Sequence, residues 1–287
     1  MPIVSAVNAR FRVLDAFEEF EDHMTVLLDR CRESDVIVLP ELVSAELLTL
    51  EDGWTEASLD DLSIITKHED RLKTWFAAQA SDRGQYLLAG TTLVQREEGV
   101  FNQATLFGPQ GEIVSHEKTH LFRAEGASGT IQTGRSSTVV ELPIGTVGIL
   151  ICYEIEIPEC VDAAVAQGAD LLLNPSMTLS EAGSWRVLHC AHARAVENQV
   201  FVATAQITGE AVGFSPGFWG ESRVIAPADA PWPATGIVQT SGPNTEADAS
   251  AALSFDDLYR NRETGAVSTF NDRVRNADLY RSWPTRA

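Results

Sequence analysis

Short apolar runs alternate along the chain with stretches in which apolar and polar residues recur at helical spacing. Residues 3–7, 36–39, 86–94, 147–151, 170–173 and 200–206 are apolar runs of strand length, and the β-branched content of several of them reads as buried strand. Residues 17–32, 68–82, 158–167 and 184–198 read as helices. The first of these is acidic early and closes on Arg30-Cys31-Arg32, which suits the helix dipole. Residues 101–107 and 112–114 flank Gly108-Pro109-Gln110-Gly111, a hairpin signal, and a further strand is expected around Val139. Residues 44–61 are acidic and read as loop or short helix. Residues 227–250 are turn-rich and polar, with strands expected near 222–226, 236–240 and 251–255. Strand–helix units interrupted by hairpins predict a layered α/β protein.

The sharpest chemical feature is Cys152. It ends the run Val147-Gly148-Ile149-Leu150-Ile151 and precedes Pro158-Glu159, which fit the first turn of a helix. A thiol at such a corner is held rigidly near helix-start N–H groups, which favour a thiolate or a developing oxyanion. Taken alone it reads first as a small core residue. Two other segments change the picture. Val36-Ile37-Val38-Leu39-Pro40 ends abruptly in Glu41, and Pro40 stops the ladder there. A carboxylate then projects from the carboxyl end of a strand, where open α/β sheets place ligands. Lys118 follows the second strand of the hairpin and is one of only three lysines, among eighteen arginines. A lysine in such a chain fits a need for a compact ammonium.

Together the three side chains form a coherent set. The carboxylate takes the thiol proton, the thiolate attacks a carbonyl or nitrile carbon, and the ammonium and the N–H after the cysteine stabilise the oxyanion. The segments LPEL around Glu41, FNQATLFGPQGEIVSHEKTHLF around Lys118, VGILICYEIEIPE around Cys152, and ADLLLNPSM followed by HARAVENQVFVATAQ resemble the nitrilase superfamily, the carbon–nitrogen hydrolases, over roughly residues 3 to 225. The resemblance implies an α/β fold, a four-layer α-β-β-α sandwich that pairs with a second subunit. It implies Glu41 as base, Lys118 as oxyanion and orientation group, Cys152 as nucleophile, the backbone N–H of Tyr153 in the oxyanion hole, and Glu125 as a second glutamate of the site. True nitrilases of the superfamily usually carry Trp after the cysteine. Tyr153-Glu154 is more typical of amidase-like branches, so the reaction expected is hydrolysis of a small linear amide through a thioester. Nitrile or N-carbamoyl-amine hydrolysis is the alternative, and a non-catalytic ligand-binding or assembly protein of the same fold is the alternative from another class. Asn174, Ser176, Met177 and Trp185 are candidates for substrate contact, as are Tyr153 and the aromatic segment 214–219. Arg123 is a candidate for a substrate carboxylate, and Arg194 with Glu197 for a structural ion pair.

Composition narrows the setting. The chain has 287 residues, 44% of them hydrophobic, which suffices for one large α/β domain, expected over residues 1–255. Residues 256–287 form a charged tail that belongs to this domain or packs on a neighbouring subunit. A net charge of −20 argues against nucleic acid and anionic membranes as partners. The acid excess with scarce lysine also resembles proteins adapted to high salt. No apolar stretch reaches the roughly 18 residues of a membrane span, and residues 1–7 lack the pattern of a signal peptide. Cys31, Cys152, Cys160 and Cys190 form no CxxC pair, which fits a reducing cytoplasm. The pairs His116/His120 and His189/His192 lack ligands at metal-site spacing. No metal or cofactor is expected; the partners expected are a small-molecule amide and further copies of the chain.

Overall fold

The computed structural model describes residues 1–210, 212–213 and 215–283. The strands are β1 (Ile3–Arg10), β2 (Val36–Val38), β3 (Tyr86–Arg96), β4 (Gly99–Gly108), β5 (Gly111–Glu117), β6 (Ile131–Gln132), β7 (Thr138–Leu142), β8 (Gly145–Ile149), β9 (Leu171–Pro175), β10 (Phe201–Ala205), β11 (Ile207–Thr208), β12 (Arg223–Ile225), β13 (Ile237–Thr240) and β14 (Ala247–Ala252). The helices are α1 (Phe17–Arg30), α2 (Glu69–Arg83), α3 (Arg123–Ser128), α4 (Pro158–Ala166), α5 (Glu181–Asn198), α6 (Phe255–Thr264), α7 (Thr269–Arg275) and α8 (Ala277–Ser282). The acidic stretch after β2 is three 3₁₀ segments, Val43–Leu50, Trp54–Glu56 and Asp60–His68.

Two sheets stack face to face. One runs β11-β1-β2-β3-β4-β5, with β14 also on β1 and β6 on β4; the other runs β13-β12-β10-β9-β8-β7. The strands at the heart of each sheet are parallel: β1, β2 and β3 in the first, β8, β9 and β10 in the second. Strand β2 shows how the layers are specified. Val36 and Val38 enter the core between the sheets, whereas Ile37 and Leu39 enter the core under α1 and α2. Both faces of the strand are buried, so the run is apolar throughout and shows no alternation with polar residues. On the far side, Val161 and Ala164 of α4 and Val187, Ala191 and Ala195 of α5 pack against the second sheet. The expected α-β-β-α sandwich is the fold observed.

Three boundaries differ from expectation. Helix α5 begins at Glu181 rather than 184, because the Ser180 side chain accepts the Gly183 N–H at 3.1 Å as its N-cap. The last strand lies at Ala247–Ala252 rather than 251–255. Its small residues pair antiparallel with β1 from Asn8↔Ala247 to Ile3↔Ala252, so backbone pairing and not bulk places it. The segment after it is helical, with Ser254 as N-cap of α6. Helix α6 is tied to the body by Arg262 and Tyr259, which both bond Asp170 at 2.7 Å. Among the described residues no helix is long and apolar enough to cross a membrane.

Candidate active site

Glu41, Lys118, Cys152 and Met177 each follow the end of a strand: β2, β5, β8 and β9 respectively. Beyond β2, Pro40 lacks an N–H, the chain leaves the ladder, and Leu42 adopts φ 48°. The turn presses on Gly90, where an added Cβ would lie 2.0 Å from the Pro40 carbonyl oxygen. Only glycine leaves room for that approach. Gly134 plays the same part behind Lys118. It donates to the Lys118 carbonyl at 2.8 Å, and a Cβ there would meet the Glu117 oxygen at 2.2 Å. Cys152 itself has φ 46°, a left-handed conformation that a non-glycine residue holds only when its surroundings impose it. It opens a 3₁₀ turn, Cys152–Glu156. Tyr153 is therefore in a first helical turn, whose N–H groups have no intrahelical acceptor.

Four titratable side chains converge. Lys118 Nζ donates to Glu41 Oε1 at 2.7 Å and to Glu125 Oε2 at 2.6 Å. The backbone N–H of Met177 donates to Glu41 Oε2 at 3.0 Å, and the Cys152 thiol lies 3.6 Å from the Met177 carbonyl oxygen. The Glu41 carboxylate and the thiol also interact directly. Lys118 and Glu41 are 1% and 2% exposed, so the group works in a dry environment where charge interactions are strong. Burial raises the Glu41 carboxyl above its ordinary range; Lys118 pulls it down, and the Glu125 charge adds to the rise. Burial alone would depress the lysine, but Glu125 and Glu41 outweigh it and hold the ammonium charged well above its ordinary range. Burial, then the Glu41 charge, pushes the Cys152 thiol well up. The resting state is thus a protonated thiol beside a carboxylate that is a better base than usual.

Above this group opens a cavity of about 480 Å³, walled by Leu42, Leu59, Leu62, Ile131, Leu179 and Val187 among others. Tyr153, Met177 and Arg123 line it too. Asn174, Ser176 and Trp185, candidates for substrate contact, do not. Asn174 is fully buried and donates to the Leu150 carbonyl at 2.6 Å, bracing the approach to Cys152. Ser176 is fully buried and donates to Asn174 Oδ1 at 3.1 Å. Trp185 stacks on His189 and lies against the Arg223 guanidinium. Asn174 and Ser176 thus face the packing, and the half-buried Trp185 lies outside the cavity wall. In the aromatic segment, Phe218 is 3% exposed and stacks on Phe11, and Phe214 lies outside the described residues. Arg194 does pair with Glu197, at 3.0 Å, and it also donates to the carbonyls of Ile155 and Glu156, at 3.1 Å each, fixing the nucleophile turn.

Two residues of the site are not evident from sequence. Asn102, fully buried on β4, donates through Nδ2 to Glu41 at 2.9 Å and to Glu125 at 3.2 Å. Its signal is a polar amide set in an apolar strand, which strand propensity disfavours. Glu154, also fully buried, receives Ile151 N–H at 2.6 Å and Thr119 N–H at 2.7 Å. The histidines are engaged elsewhere. His116 bonds Thr138 and Glu154, His120 lies 3.2 Å from Cys160, and His192 sits against Arg223, which with burial lowers its pKa to about 4.

A family model described as carbon-nitrogen hydrolase matches residues 8–238. The chain belongs to the carbon–nitrogen hydrolase family. It is a hydrolase acting on carbon–nitrogen bonds other than peptide bonds, of the amidase-like branch. A probable hydrolase of Bacillus subtilis, YhcX, is 28% identical over 96% of this chain; the chain spans about half of that relative, 54% of its length. The 2-oxoglutaramate amidase of Bacillus subtilis is 29% identical over 87% of this chain and 88% of its own. The omega-amidase NIT2 of Xenopus tropicalis is 32% identical over 70% of this chain and 71% of its own. Among solved structures, Saccharomyces cerevisiae Nit3 superposes with a TM-score of 0.74 at 22% identity, over 91% of this chain and 93% of its own. A Helicobacter pylori carbon-nitrogen hydrolase reaches 0.79 at 16% identity, over 99% and 98%. These two likenesses show the fold.

Proposed function

We infer that this hydrolase cleaves a small linear amide through a thioester on Cys152, with release of ammonia or an amine. The observation that carries the reading is the contact set of Glu41: one carboxylate bonded by Lys118 Nζ and Met177 N–H while interacting with the thiol. Glu41 takes the Cys152 proton as Sγ attacks the carbonyl carbon. The Lys118 ammonium and the Tyr153 N–H stabilise the tetrahedral oxyanion. Glu41, now protonated, gives its proton to the leaving nitrogen, and the carbon–nitrogen bond breaks. Water then attacks the thioester, Glu41 takes its proton, and the thiol is restored as the acid leaves. Glu125 and Asn102 hold Lys118 and Glu41 in place. The amidase names of the two Bacillus and Xenopus relatives support an amide as substrate. A second copy of the chain is a further partner in this reading, covering exposed apolar side chains on α7 and α8.

Ammonia release from a panel of amides, nitriles and N-carbamoyl amines, with Cys152→Ala beside the wild type, tests the reading. Release from an amide by the wild type alone supports it. Release from nitriles alone would replace it with a nitrilase, and silence on every compound would move weight to a binding protein of the same fold.

A further inference from the structure

Glu41 is held through its backbone as well as through its carboxylate. The ladder between β2 and β3 ends with Leu39 N–H on the Leu88 carbonyl at 3.0 Å. Just beyond, β3 carries one residue more than β4 between the pairs Leu88↔Leu106 and Thr91↔Ala104. This is a bulge, with Gly90 at φ 63°, and bulges re-aim the residues beside them. Here the residue is Thr91, and it meets the chain on both sides of Glu41. Its N–H donates to the Pro40 carbonyl at 3.3 Å, and its hydroxyl accepts the Leu42 N–H at 2.8 Å. Its own carbonyl accepts the Ser44 hydroxyl at 3.3 Å. Thr91 is 1% exposed and does not line the cavity.

The Pro40 carbonyl belongs to the peptide unit before Glu41, and the Leu42 N–H to the unit after it. Each unit is planar, so pinning both leaves the φ and ψ of Glu41 little freedom. The direction in which the glutamate side chain leaves the backbone is then fixed by one residue. Leu42 adds a reason for the pin. At φ 48° it sits in the left-handed region, which costs a branched residue about 1–3 kcal/mol. Without an acceptor for its N–H, Leu42 would relax, and the shared peptide unit would turn Glu41 with it. The carboxylate would then shift against Lys118 Nζ, Asn102 Nδ2 and the Met177 N–H, the three donors that meet it.

We propose that Thr91 is a positioning residue for the general base: it clamps the two peptide units that flank Glu41 and so sets the aim of that carboxylate at the Cys152 thiol. This rests on the amidase reading, in which Glu41 is the base. Thr91 itself touches neither the thiol nor the substrate; its effect on the reaction passes through Glu41 alone.

The test compares the wild type with Thr91→Val, which keeps the shape and loses the acceptor, and with Thr91→Ser, which keeps the hydroxyl. Tyr259→Phe, which removes a bond to Asp170 on the distant helix α6, controls for lost stability. Three quantities are read: kcat and KM on an amide that the wild type turns over, the rate at which iodoacetamide labels Cys152 at neutral pH, resolved by peptide mass, and the melting temperature. Thr91→Val should lower kcat by about tenfold to a hundredfold, the cost of a small misplacement of a reacting group, and change KM far less. Labelling of Cys152 should slow with it, because the same base takes the thiol proton. Thr91→Ser should recover most of both rates. Tyr259→Phe should lower the melting temperature and leave kcat unchanged. A folded Thr91→Val protein with wild-type rates would overturn the clamp. So would a Thr91→Ser protein as slow as Thr91→Val, or an equal loss of kcat in Tyr259→Phe. If Thr91→Val does not fold, hydrogen exchange at the Leu42 amide of the wild type decides: slow exchange supports the clamp, and exchange as fast as in an open loop overturns it. A wild type that turns over no amide would sink the amidase reading, whereas slower Cys152 labelling in Thr91→Val would still uphold the clamp on Glu41.

Discussion

The carboxylate of Glu154 accepts both the backbone N–H and the hydroxyl of Thr119, at 2.7 and 2.6 Å. Thr119 follows Lys118. The other oxygen of the same carboxylate holds Ile151 N–H, next to Cys152, and His116 Nε2 at 2.9 Å. One buried side chain therefore ties the lysine segment to the nucleophile turn. Burial would raise its pKa, but the bonds from His116 and Thr119 outweigh that and lower it, keeping the carboxylate charged. Glu154→Gln forces an amide NH₂ against N–H donors. We expect a stability loss of about 1–3 kcal/mol and a fall in kcat of more than tenfold, read by thermal unfolding and steady-state rates. Unaltered kcat in a folded Glu154→Gln protein would refute the tie.

Replacing the reacting residues should separate chemistry from folding. Cys152→Ala removes a buried thiol that carries no charge at rest, so activity should vanish while the melting temperature holds. Glu41→Gln should lower kcat by roughly 10²–10⁴-fold. Lys118→Ala strands the Glu41 and Glu125 carboxylates in a dry site and should cost about 3–5 kcal/mol of stability as well as activity. Melting curves of the three variants side by side check the contrast.

The pH dependence follows from Glu41. The base must be ionised, and its pKa is raised, so kcat/KM should fall as pH drops through a midpoint above the ordinary carboxyl value of 4.5. The thiol is pushed well above its ordinary 9.0, so iodoacetamide labelling of Cys152 should keep accelerating past that pH. A labelling plateau near neutrality would mean a standing thiolate and a different division of labour.

A second acid–base pair bears on stability alone. Burial opposes the ionised form of Glu246, but its bond from His23 at 2.9 Å and the Arg10 N–H outweigh this and bring it from 4.5 to about 2. A lowered carboxyl stabilises the fold above its unfolded value, and that contribution fades as pH falls toward 2. His23 is shifted upward: burial works against this, and the bonds to Glu246 and Glu46 prevail. Its contribution is full below 6.5 and fades as pH rises through the raised value. The melting temperature gap between wild type and Glu246→Gln should thus be widest between about pH 4.5 and 6.5 and close near pH 2. A gap independent of pH would exclude the pair as its source.

Helices α7 and α8 and the residue that follows them expose Val274, Leu279 and Trp283 to 70%, 49% and 55%. If a second copy covers them, Val274→Asp and Leu279→Asp should each reduce the sedimenting mass by at least half without unfolding the protomer. A wild type that sediments as a monomer would remove this partner.

Much of this layout is legible in the residues. The strand-end positions of Glu41 and Cys152 follow from where apolar runs stop, because a parallel strand buried on both faces declares itself by composition, whereas Lys118 follows an antiparallel hairpin strand that is only partly buried. Helix α1 and the β4–β5 hairpin follow from charge placement and a Gly/Pro turn. Strand β14 is less visible, since Ala and Ser pair by backbone and carry little apolar signal. Asn174, Ser176 and Trp185 fail as pocket residues because sequence places them near the site without saying which way they point. Asn102 and Glu154 act through contacts across 23 to 61 residues, which no local pattern encodes.

Strand β2 has only three residues, yet its alternate side chains are committed to two separate cores. Sliding it by one residue along β1 and β3 would turn Val36, Ile37 and Val38 over together and lose packing on both sides at once. Glu41, three residues on, would move with them. The aim of the general base is therefore guarded by the bulk of the protein. Substitutions far from the cavity, at Val38 or Ile37, belong among the changes that misdirect catalysis.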